Sequence, residues 1–341
     1  MLTKDLLRRL PKAELHVHLD GSLRLATLVE LAKEQKVKLP VADPEALARR
    51  MHVTDAHNLV EYLDRFKVTL SVMQRPDALE RIAFELVEDG VAEGVRYMEI
   101  RYSPILHTHK GMPLTETVEA PLRGLHRAEK EFGVRTGLII CGIRNMSPDT
   151  SLALAELTVA FKNHGVVAFD LAGAEYNFPA KKHKEAFYKV IDNHVGATIH
   201  AGEAYGAESI AQALHYCRAD RIGHGTRLFE NPELEAYITD RRIPLEICIT
   251  SNVQTRAVAS YEEHPVRRYF DLGMVVSLNT DNRLMSGTTL TDEYWHAHEK
   301  LGFTRAELNQ VILYGFASAF LPWRDKQAIV AQVREQLEAI Q

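Results

Sequence analysis

No apolar run in this chain approaches the roughly 18 residues a membrane-spanning helix needs. The three cysteines, Cys141, Cys217 and Cys248, are odd in number, far apart and without a C-x-x-C. That pattern excludes a disulfide framework and points to reduced thiols in a cytoplasmic protein. A basic excess is also missing: 41 Lys and Arg face 46 Asp and Glu, a formal net charge of −5. General nucleic-acid binding is therefore not expected. The opening residues, Met1 to Leu10, are too polar for a signal peptide. Neither a G-x-G-x-x-G after the first strand-like run nor a P-loop is present, so dinucleotide binding and phosphate cradling lose their usual signatures. Nothing marks a membrane or an obligate protein partner. The expectation is a soluble protein acting on a small molecule.

What is present is a regular alternation. The 341 residues, 46% of them hydrophobic, suffice for one large core, and α/β barrels commonly reach this length as a single domain. Strand-like runs fall at Ala13–His18, Val95–Tyr102, Thr136–Ile143, Val166–Leu171, Ala197–Ala201, Arg221–His224, Leu245–Ile249 and Val275–Asn279. Amphipathic segments lie between them, as in Leu79, Ile82, Ala83, Leu86, Val87 and Val91, whose apolar positions recur every three or four residues. Eight short strands alternating with helices predict a (β/α)8 barrel spanning 1–341. The stretch 22–94 is read as a helical insert. Its stripe of Leu59, Tyr62, Leu63 and Phe66 serves either as ordinary core contact or as an apolar lid over the barrel mouth.

The unusual polar residues cluster at strand ends. Strand one closes with His16-Val-His18-Leu-Asp20, and residues two apart on a strand share a face. Strand five ends in His200-Ala-Gly-Glu203, strand six in Gly223-His-Gly225 and strand eight in Asn279-Thr-Asp281-Asn282. A barrel gathers these ends at one mouth. So many buried imidazole and carboxylate groups are costly unless paired or metal-bound. His16, His18, His200 and Asp281 suit one Zn2+, with Fe2+ and Mn2+ also compatible with the ligand types. Zinc lowers the pKa of a bound water to about 7. His224 is placed to take a proton from that water, and Glu203 to supply one to a substrate.

These residues carry a resemblance. Lys12-Ala-Glu-Leu-His-Val-His-Leu-Asp-Gly-Ser22, Glu99-Ile-Arg-Tyr-Ser-Pro104, Asp170-Leu-Ala-Gly173, His200-Ala-Gly-Glu203, Arg221-Ile-Gly-His-Gly225 and Ser277-Leu-Asn-Thr-Asp281 closely resemble the adenosine deaminase family of the amidohydrolase superfamily. The Leu59–Phe66 stripe matches as well, and the similarity runs in order from about Pro11 to Leu321. The resemblance implies hydrolytic deamination of adenosine and 2′-deoxyadenosine in purine metabolism. It implies one zinc on His16, His18, His200 and Asp281. Glu203 then protonates purine N1, and His224 orients or deprotonates the attacking water, which adds to C6. Asp20 binds the ribose 5′-hydroxyl, the Gly173 backbone N–H donates to N3, and Tyr62, Leu63 and Phe66 form an apolar gate. No Lys follows strand four to bridge a second metal.

One position departs from the pattern. Many members carry a second Asp after the metal-binding Asp, and here it is Asn282. The matching side chain bonds purine N7, an acceptor, which an amide can donate to without first being protonated. Relatives that deaminate adenine, N6-substituted adenine nucleotides or aminodeoxyfutalosine mark the alternative substrates. A non-catalytic binding protein on the same scaffold would be expected to lack a ligand or the acid, and none is missing. His183-Lys-Glu185 imitates the H-x-E of cytidine deaminases but has no P-C-x-x-C after it; a surface helix is expected there. His107, His109, His126, His164, His194, His215, His296 and His298 are read as exposed or structural.

Overall fold

The computed structural model describes residues 2–53 and 59–340. Among them, strands β1 (Lys12–His18), β2 (Val95–Tyr102), β3 (Arg135–Ile143), β4 (Val166–Ala172), β5 (Gly196–Ala201), β6 (Arg221–His224), β7 (Leu245–Ile247) and β8 (Val276–Leu278) pair in sequence order. All seven successive pairings are parallel. A bridge between Val17 and Asp281 joins the last strand end to the first. The result is the (β/α)8 barrel expected from the alternation, with helices on the outer face and an interior filled by side chains.

Two strand ends differ from expectation. The seventh strand stops at Ile247, and the chain turns at once into a helix, Ile249–Gln254. The eighth spans only Val276–Leu278. Cys248 and Ile249 are fully buried, and a buried apolar run looks alike in strand and in helix. The early turn swings Ser251 and Asn252 toward the barrel mouth, where both are used.

Between β1 and β2 run helices Leu25–Glu34, Pro44–Met51, Leu59–Asp64, Phe66–Val72 and Pro76–Ala92. Pro at the first turn of Pro44–Met51 and Pro76–Ala92 suits a position whose N–H has no helical partner. Tyr62 is buried, while Leu63 and Phe66 are half-buried.

The barrel interior is charged, not only apolar. Arg101 donates to Asp170 at 2.9 Å and to Glu246 at 2.8 Å, and Arg221 donates to Glu246 at 2.6 Å and also to Glu99. All five side chains are buried. Opposite charges held this close offset the cost of burying each alone. They also leave carboxylate oxygens directed toward the mouth.

Candidate metal centre and active site

The seam that closes the barrel assembles the site. The His18 N–H donates to the Asp281 carbonyl at 2.7 Å, and the Asp281 N–H to the His16 carbonyl at 2.9 Å. Backbone pairing therefore fixes Asp281 beside both imidazoles of β1. Asp281 (φ 60°) and His224 (φ 61°) both hold left-handed backbone, which costs an L side chain about 1–3 kcal/mol and recurs at functional sites.

The donors converge. His16 Nε2 and His18 Nε2 stand 3.1 and 3.0 Å from His200 Nε2, and 3.5 and 3.4 Å from Asp281 Oδ1. One donor atom from each of His16, His200, His224 and Asp281 falls within 4.8 Å of the others. His18 lies outside that group of four, but its Nε2 is 3.0 Å from His200 Nε2 and 3.4 Å from Asp281 Oδ1, so it borders the same site.

The rear nitrogens decide what the front ones can do. His16 Nδ1 lies 2.8 Å from Glu246, and His200 Nδ1 about 3.0 Å from Asp170. An ionised carboxylate only accepts, so each Nδ1 carries the proton and each neutral ring aims a lone pair from Nε2. Those lone pairs face each other at 3.1 Å. They repel unless a proton or a metal cation lies between them. Burial and the Arg101 charge act to lower the His16 pKa, yet the Asp281 and Glu246 carboxylates outweigh them and raise it. Positive charge is favoured at this point. Tetrahedral ligands on zinc–nitrogen bonds stand about 3.3 Å apart, close to the spacing here. The residues fit a divalent metal.

Beside the cluster lies a carboxyl that burial makes harder to ionise. Burial, with the charges of Asp281 and Glu175, pushes Glu203 well above the usual carboxylate range, against only a Thr255 hydroxyl bond. Glu203 Oε2 is 3.6 Å from His224 Nε2. Glu175, after β4, accepts backbone N–H bonds from Gly202, Glu203, Ala204 and Tyr205 at 2.6–3.1 Å. This clamp holds the turn that carries Glu203.

A cavity of about 360 Å3 opens over these groups, bordered by His18, Asp20, His200, Glu203, His224, Asp281, Asn282 and Gly173. Its apolar wall includes Leu59, Tyr62, Leu63 and Phe66. Asp20 Oδ1 is buried there without a hydrogen-bond partner, 4.0 Å from His18 Nδ1, and burial, helped by the Asp281 charge, raises its carboxyl to about 7. Asn282 Oδ1 is likewise unpartnered. Gly173 has φ 92°, and a Cβ there would sit 3.2 Å from Asn145 Oδ1 and from Ile143. Tyr62 reaches across to Ser286 Oγ at 2.9 Å. Lys67, the one cationic side chain among the described residues lining the cavity, is exposed and ion-paired with Asp64.

Other expectations meet mixed outcomes. His183 is not on the surface: it is buried between Ser151 Oγ at 2.8 Å and the Arg144 carbonyl at 3.1 Å, while Glu185 is exposed. Helical spacing alone cannot tell which side a helix start turns inward. His107 is buried on the Met73 carbonyl and His298 bonds the Phe303 carbonyl, both structural. His296 is half-buried against Tyr261, and His109, His126, His164, His194 and His215 are exposed. The supporting groups Glu246, Glu175, Ser251, Asn252 and His264 carried no motif of their own. Charged residues inside strand-like runs, such as Glu99, Arg101 and Glu246, were the one available signal.

A barrel that gathers imidazoles, a carboxylate and a neutral acid at the ends of its strands defines a metal-dependent hydrolase scaffold. Residues 11–336 match the adenosine deaminase family model, and the chain belongs to that family. A probable adenosine deaminase from Dictyostelium discoideum is 45% identical over 94% of this chain, which spans 42% of that relative's length. An adenosine deaminase from Clostridium acetobutylicum is 40% identical over 94% of this chain and 96% of its own. An adenine deaminase from Arthrobacter aurescens superposes with TM-score 0.91 at 28% identity, over 96% of this chain and 99% of that one. A Burkholderia ambifaria amidohydrolase solved with bound Zn gives 0.90 at 27%, over 100% and 94%. No helix among the described residues is long and apolar enough to cross a membrane.

Proposed function

We propose that this chain is a single-domain zinc enzyme that hydrolyses adenosine, and 2′-deoxyadenosine, to the inosine products and ammonia. The observation that carries the reading is the pairing of a converging His/Asp cluster with a buried carboxyl, its pKa raised by burial, 3.6 Å from His224. The names of the full-length relatives support the substrate. The zinc-bound neighbour supports the metal. A lining whose one described cation is already ion-paired favours a nucleoside over a nucleotide.

His16, His18, His200 and Asp281 hold the metal, which supplies Lewis-acid activation of the attacking water. Glu203 gives its proton to purine N1, which makes C6 electrophilic, while His224 orients the water. The water oxygen bonds C6 and one of its protons restores the acid. The proton of the new hydroxyl leaves with the amino group as ammonia while C6=O forms. Asn282 donates to N7 and the Gly173 N–H to N3. The unpartnered Asp20 oxygen takes the ribose 5′-hydroxyl. Tyr62, Leu63 and Phe66 cover the base and exclude water.

The test is ammonia release by metal-analysed protein on adenosine, 2′-deoxyadenosine, adenine, AMP, N6-methyl-AMP and aminodeoxyfutalosine. Fastest turnover of adenosine with one zinc per chain is expected, and silence with zinc in place overturns the substrate assignment. Glu203→Gln should keep zinc and lose about 10²–10⁴-fold in kcat. Asp281→Ala should lose the zinc itself. Metal-free Glu203→Gln would refute the separation of acid from ligand.

A further inference from the structure

Behind His224, on the helix that replaces the expected end of β7, Asn252 is fully buried and tied into a directional chain. Its Nδ2 lies 3.0 Å from His224 Nδ1. Its Oδ1 accepts from Thr226 Oγ1 at 2.9 Å and lies 3.1 Å from His264 Nε2. The direction is set at the far end, where the Val266 backbone N–H donates to His264 Nδ1 at 3.2 Å.

A backbone amide has no second orientation, so His264 Nδ1 is an acceptor. Burial lowers the His264 pKa to about 3, so the ring is neutral and its one proton sits on Nε2. That N–H donates to Asn252 Oδ1. Rotating the amide by 180° would set its NH2 against this N–H, donor against donor. The NH2 therefore faces His224, whose Nδ1 accepts. A neutral imidazole that accepts at Nδ1 carries its hydrogen at Nε2, here the atom 3.6 Å from Glu203.

We propose that Asn252, backed by His264 and the Val266 amide, is a positioning residue that holds His224 in the Nε2–H tautomer. What this tautomer achieves rests on the deaminase reading above. The ring then donates a hydrogen bond to the oxygen of the attacking water and leaves a lone pair of that oxygen directed at C6. It does not take the proton of the water. That proton goes to the Glu203 carboxylate, left empty by the transfer to N1, so the deprotonating role the sequence allowed His224 passes to Glu203.

The experiment is two-bond 1H–15N correlation of histidine-labelled, zinc-loaded protein, with His224→Gln used to assign the signal. The wild-type ring of His224 should be protonated at Nε2 and bare at Nδ1. Asn252→Asp offers Nδ1 only acceptors and should move the proton to Nδ1. In that variant kcat should fall at least about tenfold, as for a catalytic His in the wrong tautomer, with KM within about threefold and zinc unchanged. His264→Leu, which frees the Asn252 amide to rotate, should show both tautomers. An Nδ1–H signal in the wild type overturns the proposal, whether or not the variants fold. A moved proton with kcat unchanged overturns it too. If the protein is silent on adenosine, the tautomer is still read, so failure of the substrate assignment is told apart from failure of this one.

Discussion

Glu175 is the residue whose part in the site was least legible beforehand. Four consecutive amides bond to its carboxylate, and its charge helps hold Glu203 protonated. Glu175→Gln replaces one acceptor oxygen with an NH2 that meets amide donors head-on. A kcat loss of about ten- to a hundredfold with zinc retained is expected, since displacing a catalytic group by about 1 Å can cost about 10²-fold. The sign of the pH effect follows from the charge. Removing a nearby negative group lets Glu203 ionise at lower pH, so the alkaline limb of activity should move to lower pH. An unmoved limb and an unchanged kcat would show that the clamp is dispensable. Asn282 supports a second test. Its Oδ1 is buried without a partner, and the space a Gly21 Cβ would fill is 1.8 Å from it. Asn282→Asp would place a carboxylate in this dry position, where it must be protonated to donate to N7. No gain in kcat/KM at pH 7 is expected, and a rise of about tenfold, near 1.4 kcal/mol, would refute the role assigned to the amide.

At the scale of elements, two short helices over the mouth act as a unit with the helical turn Arg283–Ser286 after β8. Leu59–Asp64 and Phe66–Val72 put Tyr62, Leu63 and Phe66 on the cavity wall, and the Tyr62 hydroxyl ties them to Ser286. The stripe is thus core and cavity wall together, because a buried face here borders a hole. Tyr62→Phe keeps the apolar area and removes the tie. A net hydrogen bond contributes about 1 kcal/mol, so KM should rise severalfold with kcat within about twofold. Equal losses in both would mean that Tyr62 acts in the transition state and not in closure. Apolar alternation located all eight strands within a few residues. It failed at the end of β7 because burial, not periodicity, dominates there.

The whole molecule carries an acid-labile element away from its chemistry. His107 is buried, its Nε2 has no partner, and burial lowers its pKa to about 4. An unfolded histidine titrates near 6.5, so between pH 6.5 and 4 the unfolded chain binds more protons. Stability is complete above that window and declines as pH falls through it, by on the order of 3 kcal/mol from this group. His107→Asn can keep the donor to the Met73 carbonyl and should flatten the fall of Tm between pH 6.5 and 4.5. A slope equal to that of the wild type would place the acid sensitivity elsewhere, foremost in metal release.

Length and the period of alternation already specified the barrel, since eight buried strands separated by helices have few other ways to cover both faces. The residue types at four strand ends specified a metal hydrolase, because parallel strands in a closed ring must deliver those ends to one mouth. Proton positions were beyond the reach of the linear chain. Which imidazole nitrogen carries a hydrogen depends on partners 28 to 230 residues away, such as Glu246 behind His16 and Asn252 behind His224. The same holds for Glu203, whose neutrality comes from burial and from the charges of Asp281 and Glu175. Hydrogen bonds and desolvation act through space over a few ångströms, so only the packed structure decides them.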